Sequence, residues 1–168
     1  LLGVSTLVGT SALTSCGEKG PVYTPIKEAG TYYVPELPDK AIDGKELKAG
    51  VIGCGGRGSG AIFDLLNAAN GIKVVALGDT FADRLNGLKA RLAKSNQVVA
   101  DDKCFVGFDA YKKVIDSGVD MVVIATPPAF RPIHFQYATE KGVHSFLEKP
   151  IAVDAKGYRT IMATAKQA

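Results

Sequence analysis

The stretch VIGCGGRGSG (51–60) carries Gly53, Gly55 and Gly58 in G-x-G-x-x-G spacing. That spacing has a chemical use only between a strand and a helix. There the first glycine turns the chain tightly, the second admits a pyrophosphate to the backbone, and the third lets helix and strand pack closely. An apolar run precedes this loop and a helical pattern comes after it, so the context is the required one. The helix start offers unpaired N–H groups and the positive end of a dipole to phosphates, with Gly56 and Arg57 in the same loop. No Gly-Lys-Ser/Thr follows, which excludes a P-loop. Asp79 closes the next apolar run, IKVVALGD. A carboxylate there can accept hydrogen bonds from both adenosine ribose hydroxyls and repel a 2′-phosphate, which favours NAD over NADP. Arg84 close by works against that preference, and the FADRL after it also suits a helix N-cap aspartate. Loop and aspartate together predict a nucleotide-binding sheet, with a methyltransferase-type nucleotide site as the alternative.

The elements that must position these groups are legible as alternating short apolar runs and helical patterns. LKAGVIG (47–53) reads as a buried strand, and Ala61, Ile62, Leu65, Leu66 and Ala69 recur on one helical face. IKVVALGD (72–79) is a second strand, followed by Phe81, Leu85, Leu88 and Leu92 at near-helical spacing. CFVGF (104–108), DMVVIAT (120–126) and VHSFLE (143–148) are further strands. Helices are predicted over 109–116, 130–142 and 154–167, with Pro132 in a first turn and Gly142 as a C-cap. Strand and helix repeated five times predicts an α/β fold. Its strands are parallel, joined by right-handed crossovers, with helices on both faces: a doubly wound, Rossmann-type sheet.

The 168 residues are 46% hydrophobic and 22% charged, an ordinary globular composition. Lys and Arg are spread without a basic block or interleaved aromatics, so the net charge of +3 does not point to nucleic acid. Cys16, Cys54 and Cys104 form no CxxC pair and no metal spacing with the two histidines, so no zinc site or disulfide framework is expected. Cys54 reads as a small residue filling the loop, although a place at a helix start would lower its pKa if it were exposed. Residues 1–16 are a distinct segment: LLGVSTLVGTSALTS carries no charge, and Leu13-Thr14-Ser15-Cys16 is similar to a bacterial lipobox. Cys16 is therefore the expected lipidation site of an exported lipoprotein, periplasmic or membrane-anchored, with a cytoplasmic protein if the signal reading fails. Residues 17–47, with four prolines and no sustained period, read as a linker or arm, and 48–168 as the nucleotide-binding domain.

In ATPPAFRPIHFQYATEKGVHSFLEKPIAVD (125–154), Thr126-Pro127 follows the fourth strand and Glu148-Lys149-Pro150 the fifth, with Gly142 and His144 between. This pattern, with the extended loop GCGGRGSG and its Arg57, resembles the nucleotide-binding half of the Gfo/Idh/MocA family of NAD(P)-dependent oxidoreductases, in its exported, glycosidase-like branch. The resemblance covers roughly residues 48–168. It implies that Thr126 and Pro127 contact the cofactor, that Glu148 sits beside it, and that Lys149 is the catalytic residue. A lysine there can hydrogen-bond the reacting oxygen, or pass a proton if desolvation lowers its pKa. The resemblance also allows a cis bond before Pro150. Pro128, Ala129 and Arg131 depart from the pattern, where relatives tend to carry Asn, His and His. His134 reads as a packed or capping residue and His144 as structural.

Three functions are compatible with these readings. The first is the NAD-binding domain of an exported oxidoreductase that passes a hydride between nicotinamide and a sugar or polyol. The second is an NAD-dependent glycoside hydrolase, in which transient oxidation acidifies a neighbouring C–H, the glycosidic bond is eliminated and the hydride is returned. The third is a non-catalytic nucleotide-binding lipoprotein. The family's second domain holds substrate and forms dimers, so a homo-oligomer is expected of the whole enzyme. Residues 1–168 stop before a sixth strand, and nucleotide binding with little turnover is expected of them alone.

Overall fold

The structure is a computed structural model and describes residues 46–168. The readings of a signal segment, of Cys16 and of nearly all of the 17–47 arm lie outside the described residues. Eleven elements succeed one another in chain order. The strands are β1 (Leu47–Ile52), β2 (Ile72–Asp79), β3 (Cys104–Val106), β4 (Met121–Ile124) and β5 (His144–Leu147). The helices are α1 (Gly56–Ala68), α2 (Ala82–Lys94), α3 (Ala110–Ile115), α4 (Arg131–Glu140) and α5 (Ala155–Ala165), with one 3-10 turn at Asp101–Lys103.

All strand pairs are parallel, and the sheet runs β3-β2-β1-β4-β5. The chain builds outward from β1 through β2 to β3, then returns to the other side of β1 for β4 and β5. That reversal parts the crossovers above β1 and β4 and opens a crevice at the carboxyl ends of the strands. The doubly wound reading of the sequence is thus the observed fold.

The apolar strands alternate between two cores, as the period of two requires. Val51, Val74 and Val123 face one core with Ile62 of α1 and Leu85, Leu88 and Leu92 of α2. Their neighbours Ile52, Val122 and Ile124 face the other, against Val114 and Ile115 of α3 and Ala138 of α4. Most of these side chains are 0–2% exposed, and each contributes about 1.5–3 kcal/mol through its removal from water.

Element ends differ from the sequence reading by a few residues, for local reasons. Strand β3 stops at Val106 rather than continuing to 108, because Gly107 turns the chain at φ +123° and donates to the Asp79 carbonyl at 3.0 Å. Helix α4 closes at Glu140 in a Schellman arrangement. Gly142 at φ +68° donates to Thr139 O and Val143 to Ala138 O, both at 2.9 Å. Pro132 sits in the first turn of α4, where its missing N–H costs nothing. Asp154 caps α5, accepting from the Gly157 N–H at 2.6 Å.

Candidate cofactor site

The crevice is lined by the turns and loops at the carboxyl ends of β1, β2, β3 and β4, and the turn after β5 is tied to it through Arg57 and Arg131. After β1, the three motif glycines have different structural jobs. Gly53 turns at φ +94°, and a Cβ there would stand 2.8 Å from Ala125 C and Thr126 N. Gly58 is buried, and its Cβ would fall 1.8 Å from the Gly53 carbonyl oxygen, so α1 sits directly on the strand end. Ser59 O–H donates to Cys54 O at 3.2 Å and helps hold that seat. Gly55, with φ −68° and ψ −170°, has a backbone any residue can adopt. Its Cβ would meet only Arg84 Cδ, at 4.0 Å, so the space it spares opens into the crevice. No side chain caps the start of α1, and its first turn has no acidic residue, which leaves N–H donors facing an anion's approach.

At the end of β2, the Asp79 carboxylate joins two loops. Its Oδ2 accepts from the Cys54 N–H at 2.6 Å and its Oδ1 from the Phe81 N–H at 2.9 Å. The N-cap of α2 is Phe81, so Asp79 is not the helix cap that FADRL suggested. A cavity of about 270 Å³ opens beside it, lined by Gly53, Gly55, Asp79, Thr126 and Pro127, and walled by aromatic rings. Arg84 lies over the Phe81 ring at 4.9 Å, and the Phe108 and Phe130 centroids are 6.3 Å apart. Cys54 is 2% exposed with its thiol donating to Gly78 O, and burial pushes its pKa up, not down. It is a filler of the loop.

After β4, Thr126 Oγ1 lies 3.1 Å from His134 Nδ1, and the His134 ring stacks on Tyr111 with centroids 4.2 Å apart. Burial brings the His134 pKa down to about 4, so the ring is neutral near pH 7. His134 is packed, as read from the sequence. His144, by contrast, is exposed, on the outermost strand β5.

After β5, Glu148 is 4% exposed, and its Oε1 accepts from Arg57 Nε at 2.6 Å and Nη2 at 2.5 Å. The Arg57 hydrogen bond holds the Glu148 carboxyl below its ordinary range. Glu148 Oε2 accepts from the Lys149 N–H at 3.2 Å. Lys149 is exposed and precedes a cis peptide bond to Pro150. The buried guanidinium of Arg131 donates to Thr126 O at 2.7 Å, to Glu148 O at 2.6 Å and to Pro150 O.

The structure thus divides the residues singled out in the sequence into two linked groups. Gly53, Gly55, Asp79, Thr126 and Pro127 line the cavity. Arg57, Glu148 and Lys149 lie outside it, joined to one another, while exposed Gly56 has nothing near its would-be Cβ. Sequence reasoning missed the aromatic walls and the role of Arg131. The rings at 81, 108 and 130 come after β2, β3 and β4, and the rule that strand ends line a crevice could have found them. Nothing in the sequence signalled that Arg131 would turn inward. Among the described residues no cluster of three or more His, Cys, Asp or Glu could hold a metal ion, and no helix is long and apolar enough to cross a membrane.

Residues 47–168 match the Gfo/Idh/MocA oxidoreductase family, described as having an NAD-binding Rossmann fold. A glycosyl hydrolase family 109 protein of Streptomyces niveus is 34% identical over 110 residues, covering 64% of this chain and 22% of that protein. Inositol 2-dehydrogenase 4 of Saccharopolyspora erythraea is 30% identical over 112 residues, covering 67% of this chain and 30% of that one. The crystal structure of myo-inositol 2-dehydrogenase from Lactobacillus plantarum superimposes with a TM-score of 0.58 at 28% identity, over 73% of this chain and 33% of that one. The chain therefore spans a third or less of the length of these proteins.

Proposed function

Because the chain belongs to the Gfo/Idh/MocA oxidoreductase family, through the NAD-binding Rossmann fold of residues 47–168, we propose that it is the NAD-binding part of an exported enzyme acting on a sugar or polyol. The observation that carries this reading is the cradle at Gly55. Its backbone needs no glycine, and its Cβ position is open to the crevice, so the missing side chain serves something that enters. The uncapped start of α1 suits a diphosphate, and the Asp79 carboxylate suits a ribose diol while disfavouring a 2′-phosphate. Gly53, Gly56, Arg57 and Gly58 complete the loop around the diphosphate, and Thr126 and Pro127 border the ribose side.

When bound in this cradle, the cofactor would supply hydride exchange at a carbon bearing a hydroxyl. Lys149 holds or releases a proton at the oxygen of that carbon and stabilises negative charge there. Glu148 fixes the backbone of Lys149 through its N–H and keeps Arg57 across the loop. The kinship with inositol dehydrogenases supports a polyol, and kinship with glycosyl hydrolase family 109 supports the second reading, glycoside hydrolysis with no net oxidation. Cys16 as a lipid anchor would place the protein outside the cytoplasm.

The test uses the full protein as its native cell makes it, given NAD with panels of inositols, hexoses and aryl glycosides. Substrate-dependent NADH absorbance supports the oxidoreductase. Aglycone release without NADH accumulation supports the hydrolase. Bound NAD(H) with neither outcome overturns both and leaves the non-catalytic lipoprotein.

A further inference from the structure

We propose that Arg131 is the positioning residue of the Lys149 turn, tying it to the turn after β4 so that Lys149 keeps a fixed place beside the crevice. The inference rests on the reading of Lys149 as the proton-handling group. The Arg131 residue is 5% exposed, yet it forms no ion pair within 4.0 Å among the described residues. Its guanidinium donates to three backbone carbonyls: Thr126, Glu148 and Pro150. The first belongs to the turn that lines the cavity, and the other two flank Lys149 on either side.

A buried guanidinium whose hydrogen bonds all go to carbonyls is costly, since burial opposes its charge and the Glu148 carboxylate nearby offsets only part of that. What it provides is geometry. One planar fork spans two turns that come from different strands, β4 and β5. Lysine, with one rotating ammonium on a flexible stem, cannot bridge the same three acceptors. The Lys149 backbone is thereby held on each side by Arg131 and at its own N–H by the Glu148 carboxylate. A side chain that must meet a reacting oxygen needs its Cα fixed to within about 0.5 Å, and these bonds supply that.

The experiment is amide hydrogen exchange on the full chain without cofactor, comparing wild type with Arg131→Lys. Alongside it, the ε-carbon resonance of Lys149 is followed by NMR, assigned by its loss in Lys149→Arg. The expected result is that the Glu148 and Lys149 amides exchange at least tenfold faster in Arg131→Lys, about 1.4 kcal/mol of lost protection, with β1 and β2 unchanged. The Lys149 resonance also shifts, because the turn that carries it no longer keeps one backbone position. Uniform acceleration across the sheet with an unmoved Lys149 signal would show a merely structural arginine and overturn the proposal, as would no change. Should the variant not fold, wild type alone decides. The Glu148 amide is bonded to Ile124 O in any case, so the Lys149 amide is the one that must be protected like β4, and protection no greater than that of 127–130 refutes the clamp. Because no cofactor is present, failure here is distinct from failure to bind NAD or to turn over.

Discussion

Alanine at Gly58 and at Gly55 is predicted to do opposite things, although both positions belong to one motif. At Gly58 a Cβ would lie 1.8 Å from the Gly53 carbonyl oxygen and 3.2 Å from Ala125 Cβ. A comfortable contact is about 3.5 Å, so α1 must move off the strand end by roughly 1.7 Å. Gly53 cannot yield in turn, because it is pinned at φ +94° against Ala125 and Thr126. Overpacking of this kind costs about 3 kcal/mol, which lowers Tm by roughly 10 °C for a domain of this size. At Gly55 the backbone already suits alanine and the nearest side-chain atom is 4.0 Å away, so stability should stay within about 0.5 kcal/mol. The new methyl instead projects into the crevice and should weaken NADH binding by roughly tenfold to a hundredfold, about 1.4–2.8 kcal/mol. The assays are urea unfolding and titration of NADH by its fluorescence. Gly55→Ala binding NADH as tightly as wild type, or Gly58→Ala unfolding at the wild-type midpoint, would refute the division of labour.

Three further outcomes are expected. His134 titrates at about 4 in the fold against 6.5 in an open chain, so the unfolded state binds the extra proton first. Stability should therefore fall as pH drops from 6.5 toward 4, by roughly 3 kcal/mol, and His134→Gln should flatten that slope in a pH series of urea midpoints. Glu148 has a lowered pKa through Arg57, so its stabilisation is full above the ordinary carboxylate range and is lost as pH falls through the lowered value. Arg57→Ala should weaken that acid dependence, read from the same series at its acid end. Asp79→Ser, which removes the carboxylate accepting from Cys54 and Phe81, should narrow the gap between NADH and NADPH dissociation constants by at least about tenfold.

The fold was legible because its strands are short apolar runs bounded by glycine and its helices are amphipathic. Val51 and Ile52 face opposite cores, as a doubly covered strand must, and IKVVALGD became β2 to the residue. The residues that end strands could be placed for the same reason: Gly53, Asp79, Thr126 and Glu148 all follow or close a parallel strand at one edge. The part that could not be read was reach. Arg57 and Glu148 are 91 positions apart, and only the sheet order brings their side chains together. Arg131 opens a helix whose pattern gives no sign of a buried cation, and its acceptors are carbonyls, which every residue has. His144 stayed exposed because β5 lies at the outer side of the described sheet.

The most direct test of the central claim is a calorimetric titration of the chain with NADH and, separately, with NADPH. The account predicts one saturable NADH site, with NADPH at least about tenfold weaker because Asp79 opposes a 2′-phosphate. No saturable binding of NADH, or a preference for NADPH, would contradict it.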